Sequence, residues 1–548
     1  MTLQHLSRSR LRLLRRIAWI TVFASLSMFT VFPIQAATID VACDVAELVN
    51  AVNTANSNGE ADTINLAAGC TYFLPATLTV DADGGNPLTV NGNGASLDGN
   101  NAMRVLVVSA DAVLNLDAVT VTNGNTFDVG SGILNNGGTL TLTNSAVIGN
   151  TTSGDGGGIF NDGGTLTLTN TNVDGNSSGG GGISNNGGSV TLTDSTVSLN
   201  NAALDGGGIV NNGGTLTLTD STVSLNNATF DGGGIFNRNG GSVTLNDSTV
   251  SLNSGGNFGG GIFNDGGAVT LTNSALTVND ADSGGAIYNL NGGAVILTSS
   301  TLSGNSARSM GGAIYNLSDS YVTLSNDTLA NNGAGSGGGI ANEGSFTLSN
   351  SIVADSILGG DCYNTGTITT SGTNLIEDGS CGTGGTLTGD AHLLALTGSP
   401  AYHPLHPFSP AIDSGDSSLC PSTDQRGASR PLDGNGDGIS ICDLGAWECP
   451  CIRLSLTPVI TFAPGTRFPT LPDVRPSSTG EVPFATDLPL TTEPTVPLPV
   501  DPISTEPSVS TVASTPALMS DTPTETPTTI PTSTDIPTEV SETAEVRP

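Results

Sequence analysis

Residues Gly156–Asn170 read GGGIFNDGGTLTLTN, and variants of this phrase return along the middle of the chain. The isoleucines after the glycines are Ile133, Ile159, Ile183, Ile209, Ile235, Ile262, Ile287, Ile314 and Ile340. Their spacings are 26, 24, 26, 26, 27, 25, 27 and 26 residues. An Asn follows each one two residues later, from Asn135 and Asn161 to Asn342. A fixed period in this range marks a solenoid.

Within one unit, Thr165-Leu166-Thr167-Leu168-Thr169 alternates polar and apolar residues, and so does Ser195-Thr196-Val197-Ser198-Leu199. Such alternation in Thr and Val reads as strands with one buried face. Asn-Gly, Asp-Gly and Gly-Gly pairs punctuate each unit as turns. About three short strands per unit follow, none able to bury its Ile and Leu until units stack. The expected fold is all-β, a single-stranded right-handed parallel β-helix with coils about 4.8 Å apart. The recurring Asn then reads as a ladder hydrogen-bonded from coil to coil, and the glycines as sharp or positive-φ turns. On GGAIYN at Gly284–Asn289 and Gly311–Asn316, and GGGIFN elsewhere, the units resemble the repeats of chlamydial polymorphic membrane proteins and related bacterial β-helix surface proteins. That resemblance implies adhesive or structural roles.

The formal charge is −35, and all fourteen basic residues are Arg. Five of them (Arg8, Arg10, Arg12, Arg15 and Arg16) precede the apolar run Ile17–Ile34, and Ile34-Gln35-Ala36 follows as a cleavage-type site. Segment 1–36 therefore reads as a secretory signal peptide, with an uncleaved membrane anchor as the other reading. Without it, nine Arg face 49 acidic residues, a balance near −40. Such a surface repels nucleic-acid phosphates and anionic lipid. Eight Cys in an exported chain favour disulfides. None falls between Cys70 and Cys362, so bridges would staple the two ends, with about 105 connectivities open.

Each end of an open β-helix exposes strand edges and needs a cap. Val45, Leu48, Val49 and Val52 have amphipathic-helix spacing, with Asp44 and Glu47 placed roughly as a capping box. A short helix is expected to plug the first coil, with Cys43 and Cys70 bridging nearby. The stretch from Cys43 to Leu66 is similar to the CSLREA module of bacterial extracellular β-helix proteins, although its usual Arg is absent. At the other end, NLIEDGSC (Asn374–Cys381), SPAIDSGD (Ser409–Asp416) and DQRGASRPLDGNGDGISICDLGAWE (Asp424–Glu448) resemble the choice-of-anchor Q domain. That likeness implies export and surface display, and does not by itself imply a catalytic activity. Beyond Cys451 the chain turns to Pro, Thr, Ser and acids, a composition that cannot form a core. The expected organisation is a signal peptide (1–36), an N-terminal cap with first coils (37–129), regular repeats (130–358), C-terminal coils with a choice-of-anchor Q-like cap (359–451), and a disordered stalk (452–548).

Chemistry is sparse in the repeats, which hold no Lys or His and only Arg238 and Arg308. Asp155, Asp205, Asp231 and Asp282 stand near the glycines, where recurrence favours solvated turn residues over an acid–base pair. A phosphate loop is excluded because it requires Lys. His403 and His406 are three apart among prolines, a poor zinc pair. The best ligand candidate is structural calcium at Asp433, Asn435 and Asp437, with Asp443 one residue early for the usual carboxylate at the end of such a loop. The expected function is an exported scaffold, surface-displayed or released, adhesin-like or envelope-structural. Its expected partners are extracellular glycans or cell-surface proteins, with membrane contact only through the signal segment or an unidentified anchor. The alternative is a polysaccharide-active lyase or glycoside hydrolase of the pectate-lyase-like class, centred near Arg238 or Arg308.

Overall fold

The computed structural model describes residues 37–381 and 386–451. The expected signal segment and stalk, 1–36 and 452–548, lie outside the described residues. The chain winds as a single-stranded parallel β-helix. In one regular coil, Thr165–Thr169 forms a first face, Asn172–Asp174 a second, Ser177–Ser178 a short edge and Ile183–Asn186 a third. Each strand pairs in parallel with its counterparts one coil away. Leu166 stands opposite Leu140 and Val190, and Ile183 opposite Ile159 and Ile209.

Alternation sets the cross-section. Leu166, Leu168, Val173 and Ile183 are fully buried, while the intervening Thr165, Thr167 and Thr169 point outward. Burying each such aliphatic side chain contributes about 1.5–3 kcal/mol, repeated at every rung. The corner between the first two faces is made by Asn144, Asn170, Asp194 and Asp220, all with φ between 47° and 50°. Asn and Asp adopt this left-handed region more readily than other non-glycine residues.

The expected Asn ladder is present. Asn135, Asn161, Asn185, Asn211 and Asn237 are fully buried, each Nδ2 donating to the next Oδ1 at 2.7–2.8 Å. A second ladder, which the repeat analysis missed, runs through Asn150, Asn176, Asn200, Asn226 and Asn253 at 3.0 Å per step. It also explains a departure from the expected alternation. The strand Thr196–Ser198 stops before Leu199, which takes φ 55° and is 56% exposed. The left-handed residue turns Asn200 into the interior, so Leu199 points out.

The N-terminal helix spans Val45–Ala55, with Leu48, Ala51, Val52 and Ala55 buried. Asp44 caps it by accepting from the Ala46 amide at 2.7 Å. Glu47 accepts from the Ala42 amide at 3.0 Å, two residues before the N-cap amide that a standard capping box uses. Cys43 pairs with Cys70, Cys362 with Cys381, Cys420 with Cys442, and Cys449 with Cys451.

The C-terminal segment covers a side of the β-helix. After the last strands, Asn374–Ile376 and Thr386–Leu387, the chain folds back along the second face. Thr301 Oγ1 donates to Gln425 Oε1 at 2.6 Å, the Ala446 amide to Thr328 Oγ1 at 3.0 Å, and Asn350 Nδ2 to the Asp416 carbonyl at 3.0 Å. Ile352, Ala354 and Leu375 pack with Leu405, Leu444 and Trp447 as a second core outside the helix. Second-face strands here, such as Ile352–Ala354, are therefore buried on both sides.

Candidate functional site

Two places interrupt the regular surface. The first is a notch where one coil is short. Its edge turn reads Ser177-Ser178-Gly179-Gly180-Gly181-Gly182, two residues fewer than Thr151–Gly158 before it or Asn201–Gly208 after it. No aspartate occupies this turn, so Asp155 and Asp205 flank the gap. A cavity of about 90 Å³ opens there, lined by Asp155, Gly180, Asp205, Val210, Phe236 and Arg238 among others.

These aspartates are half-buried, contrary to the expectation of solvated turn residues. Burial raises the Asp155 carboxyl, with Arg238 pulling it down and Asp205 pushing it up. Burial and then Asp205 raise Asp231 to about 6. Asp231 Oδ1 and Arg238 Nε are buried without hydrogen-bond partners, and the Arg238 guanidinium lies 5.4 Å from the Phe236 ring centre. Asp155 and Asp205 line the notch with Arg238, and Asp231 is influenced by Asp205, so carboxyl groups in unlike environments can divide acid and base roles.

An aromatic column leads away from the notch on the outer side of the third face. Phe236 stacks on Phe263 at 4.9 Å, and Phe263 on Tyr288 at 5.5 Å. All three are buried under the glycine-rich edge turns. They form a satellite core, with no ring face offered to a ligand. Arg308, the other sequence candidate, is an exposed residue paired with Asp282 at 2.5 Å.

The second place is a cavity of about 490 Å³ between the last coils and the cap, within the range of small-molecule sites. Asp355 follows the strand Ile352–Ala354 and lines one side with Asp390, His392, His406, Leu394 and Phe408 around it. The Leu394 amide donates to the Pro404 carbonyl and the His406 amide to the His392 carbonyl, which holds the two histidine segments together. The imidazole centres are 6.3 Å apart. His392 Nδ1 lies 3.0 Å from Asp390 Oδ2. Burial raises Asp355, and Glu377 and Asp390 push the same way. Phe408 is 67% exposed, a hydrophobic ring at the rim.

His403 does not join His406. It is buried, with Nε2 2.8 Å from Ser303 Oγ and Nδ1 2.8 Å from the Leu394 carbonyl, a structural role in cap docking. Sequence reasoning missed His392 because its closeness to His406 depends on the returning chain.

Of the calcium candidates, Asp433, Asn435 and Asp437 share one turn. Asp433 accepts from the amides of Gly436, Asp437 and Gly438, Asn435 from Asp437, and Asp437 from Ile439. Asp443 does not join them. It is buried, with Oδ1 accepting from the Asp413 amide at 2.7 Å and Oδ2 from Cys449 at 2.6 Å. Among the described residues, no group of three or more His, Cys, Asp or Glu is arranged to hold a metal.

Burial, then Glu448, raises Asp443 to about 8 against those amide bonds. A folded pKa above the unfolded value of about 3.9 gives stability that is complete below that value and lost as pH rises toward 8. Cap docking is therefore expected to loosen between about pH 4 and 8, and Asp443→Asn to flatten part of that slope. Amide exchange over Ala411–Leu444 measures this, and protection that increases toward pH 8 contradicts it.

No family model matches the chain, and no curated protein matches it. Among solved structures, it resembles the crystal structure of pectate lyase Pel9A at 14% identity and a TM-score of 0.35, over 76% of this chain and 98% of that one. Likeness this weak supports no transfer of site or activity.

Proposed function

We propose that the chain is an exported β-helix scaffold, surface-displayed or released, that engages extracellular glycans in an adhesin-like role. The observation that carries this reading is the 490 Å³ cavity, which sets carboxylates and imidazoles beside exposed Phe408 and Leu394. Sugars present hydroxyls and apolar C–H faces together, and such a mixed wall recognises both. Four disulfides suit an oxidising compartment. The likeness of the cap to the choice-of-anchor Q domain supports display at a surface. A glycan array probed with the full chain tests the reading, and absence of binding across neutral, acidic and amino glycans overturns it.

A second reading, a polysaccharide hydrolase, is favoured by the notch alone, where Asp155 and Asp205 line the cavity and Asp231, raised to about 6 by burial and then by Asp205, lies close to Asp205. New reducing ends over a day of incubation with polysaccharides would support it. Asp231→Asn is then expected to slow release by about 10²–10⁴-fold, the usual contribution of a general acid or base. No cleavage by the native chain removes this reading.

Calcium at Asp433, Asn435 and Asp437 belongs to the proposal as a structural ligand, because these side chains supply oxygens at alternate positions of one turn. Calorimetric titration that shows no uptake removes it.

A further inference from the structure

We propose that the cap cavity selects cationic amino glycans, oligomers of 2-amino sugars bearing free amines. The inference rests on the glycan reading above and narrows it to one charge class.

Asp355 and Asp390 both line the cavity. Glu377 stands directly behind Asp355, its Oε2 accepting the Asp355 amide at 2.5 Å. Among the described residues no Arg lines the cavity, and the protein has no Lys at all. The described arginines are engaged elsewhere. Arg104 pairs with Asp128, Arg308 with Asp282, Arg426 with Asp424 and Arg430 with Glu448, while Arg238 lies over Phe236 in the notch. The remaining basic groups at the cavity are His392 and His406. The wall therefore presents two carboxyl groups with no described Arg to answer them.

That asymmetry sorts glycans. A uronate or sulfated chain brings like charge to the wall and is repelled. An N-acetylated sugar offers hydroxyls and an amide but leaves the carboxylates without a counter-charge. A protonated 2-amino group supplies three N–H donors and the missing charge, and charge-assisted hydrogen bonds to carboxylates are the stronger kind. Phe408 and Leu394 at the rim offer apolar surface to the C–H face of the same ring. The two imidazoles can each donate or accept to hydroxyls.

Calorimetry at about pH 6, where the 2-amino groups of the sugar are largely protonated, tests this with the full chain, comparing a fully deacetylated glucosamine tetramer, its N-acetylated counterpart and an oligogalacturonate. The expected result is at least tenfold tighter binding of the amino tetramer than of the acetylated one, and no binding of the uronate. Asp355→Asn, nearly isosteric, is expected to cut that preference to less than threefold with an unchanged thermal melt. Removing one charge of many leaves non-specific attraction nearly untouched, so loss of preference assigns the effect to this cavity. Equal binding of both tetramers overturns the proposal and leaves the glycan reading standing. Absence of all binding overturns both. Equally tight binding of tetralysine, or a preference that persists in Asp355→Asn, shows general attraction to an acidic surface and also overturns it.

Discussion

Asn211→Leu is expected to cost about 4 kcal/mol, because it leaves several buried polar groups unpaired at about 1–3 kcal/mol each. Asn211 is fully buried inside the helix. Its Oδ1 accepts from Asn185 at 2.8 Å, and its Nδ2 donates to Asn237 Oδ1 at 2.8 Å and the Gly214 carbonyl at 3.0 Å. Leucine strands Asn237 Oδ1, removes an acceptor from Asn185 and leaves the Gly214 carbonyl with only the Ser242 amide, at 2.9 Å. A coil weakened this way weakens its neighbours, since stacked repeats stabilise one another through their interfaces. Hydrogen exchange is expected to accelerate first across Ile183–Arg238, together with a lower melting temperature. Asn212→Ala is the control. Asn212 faces solvent and bonds to Asn186 across the outer surface at 2.9 Å, so its loss is expected to stay within about 0.5 kcal/mol. Equal effects at the two positions would show that the interior ladder has no special role.

The second large effect is expected in the cap. Arg430 and Glu448 have fully buried side chains, with Arg430 Nε 3.5 Å from Glu448 Oε2. Arg430 Nη2 also donates to the Gly445 carbonyl at 2.8 Å, and the carboxyl of Glu448 accepts from the amides of Leu432 and Asp443. Breaking a buried pair from one side costs about 3–5 kcal/mol, since the other charge stays behind without its partner. Arg430→Met is therefore expected to release the cap from the flank while the repeats keep their fold. Limited proteolysis between residues 386 and 451, with new exchange at Thr301–Ser303 and Ile352–Ala354, reads this directly. A cap that stays protected in Arg430→Met would place the docking energy in the apolar contacts of Trp447 and Leu444 alone. Arg430→Lys keeps the charge and loses the forked donor, so partial rescue is expected.

The two sites were legible to different degrees. Asp155, Asp205, Asp231 and Arg238 were visible as residue types at recurring positions. The 24-residue spacing between Ile159 and Ile183 was the sign that their surroundings differ from those of an ordinary turn. What it did not reveal was burial, which separates a solvated aspartate from one raised to about 6. The cap cavity was less legible. His392 and His406 are far enough apart in an irregular segment that no spacing rule joins them, and Asp355 belongs to a different part of the chain.

The sequence by itself determined the coil. Leu and Val at every second position, an inward Asn at a constant offset and Asx or Gly at the corners specify which residues meet one turn later, about 26 positions away. Each rung repeats that instruction, so local chemistry suffices to define face, register and interior ladder. Only the tertiary structure decided where the cap lies. Its contacts join residues more than a hundred positions apart, such as Thr301 with Gln425 and Asn326 with the Asp443 carbonyl. They occur once and leave no period. Their trace in the sequence is faint: outward positions on the second face change from Thr196 and Ser198 to Ile352 and Ala354 where the cap covers them. Repetition encodes contacts between neighbours, whereas a single returning segment is placed by the surface it buries and by the polar groups it satisfies there.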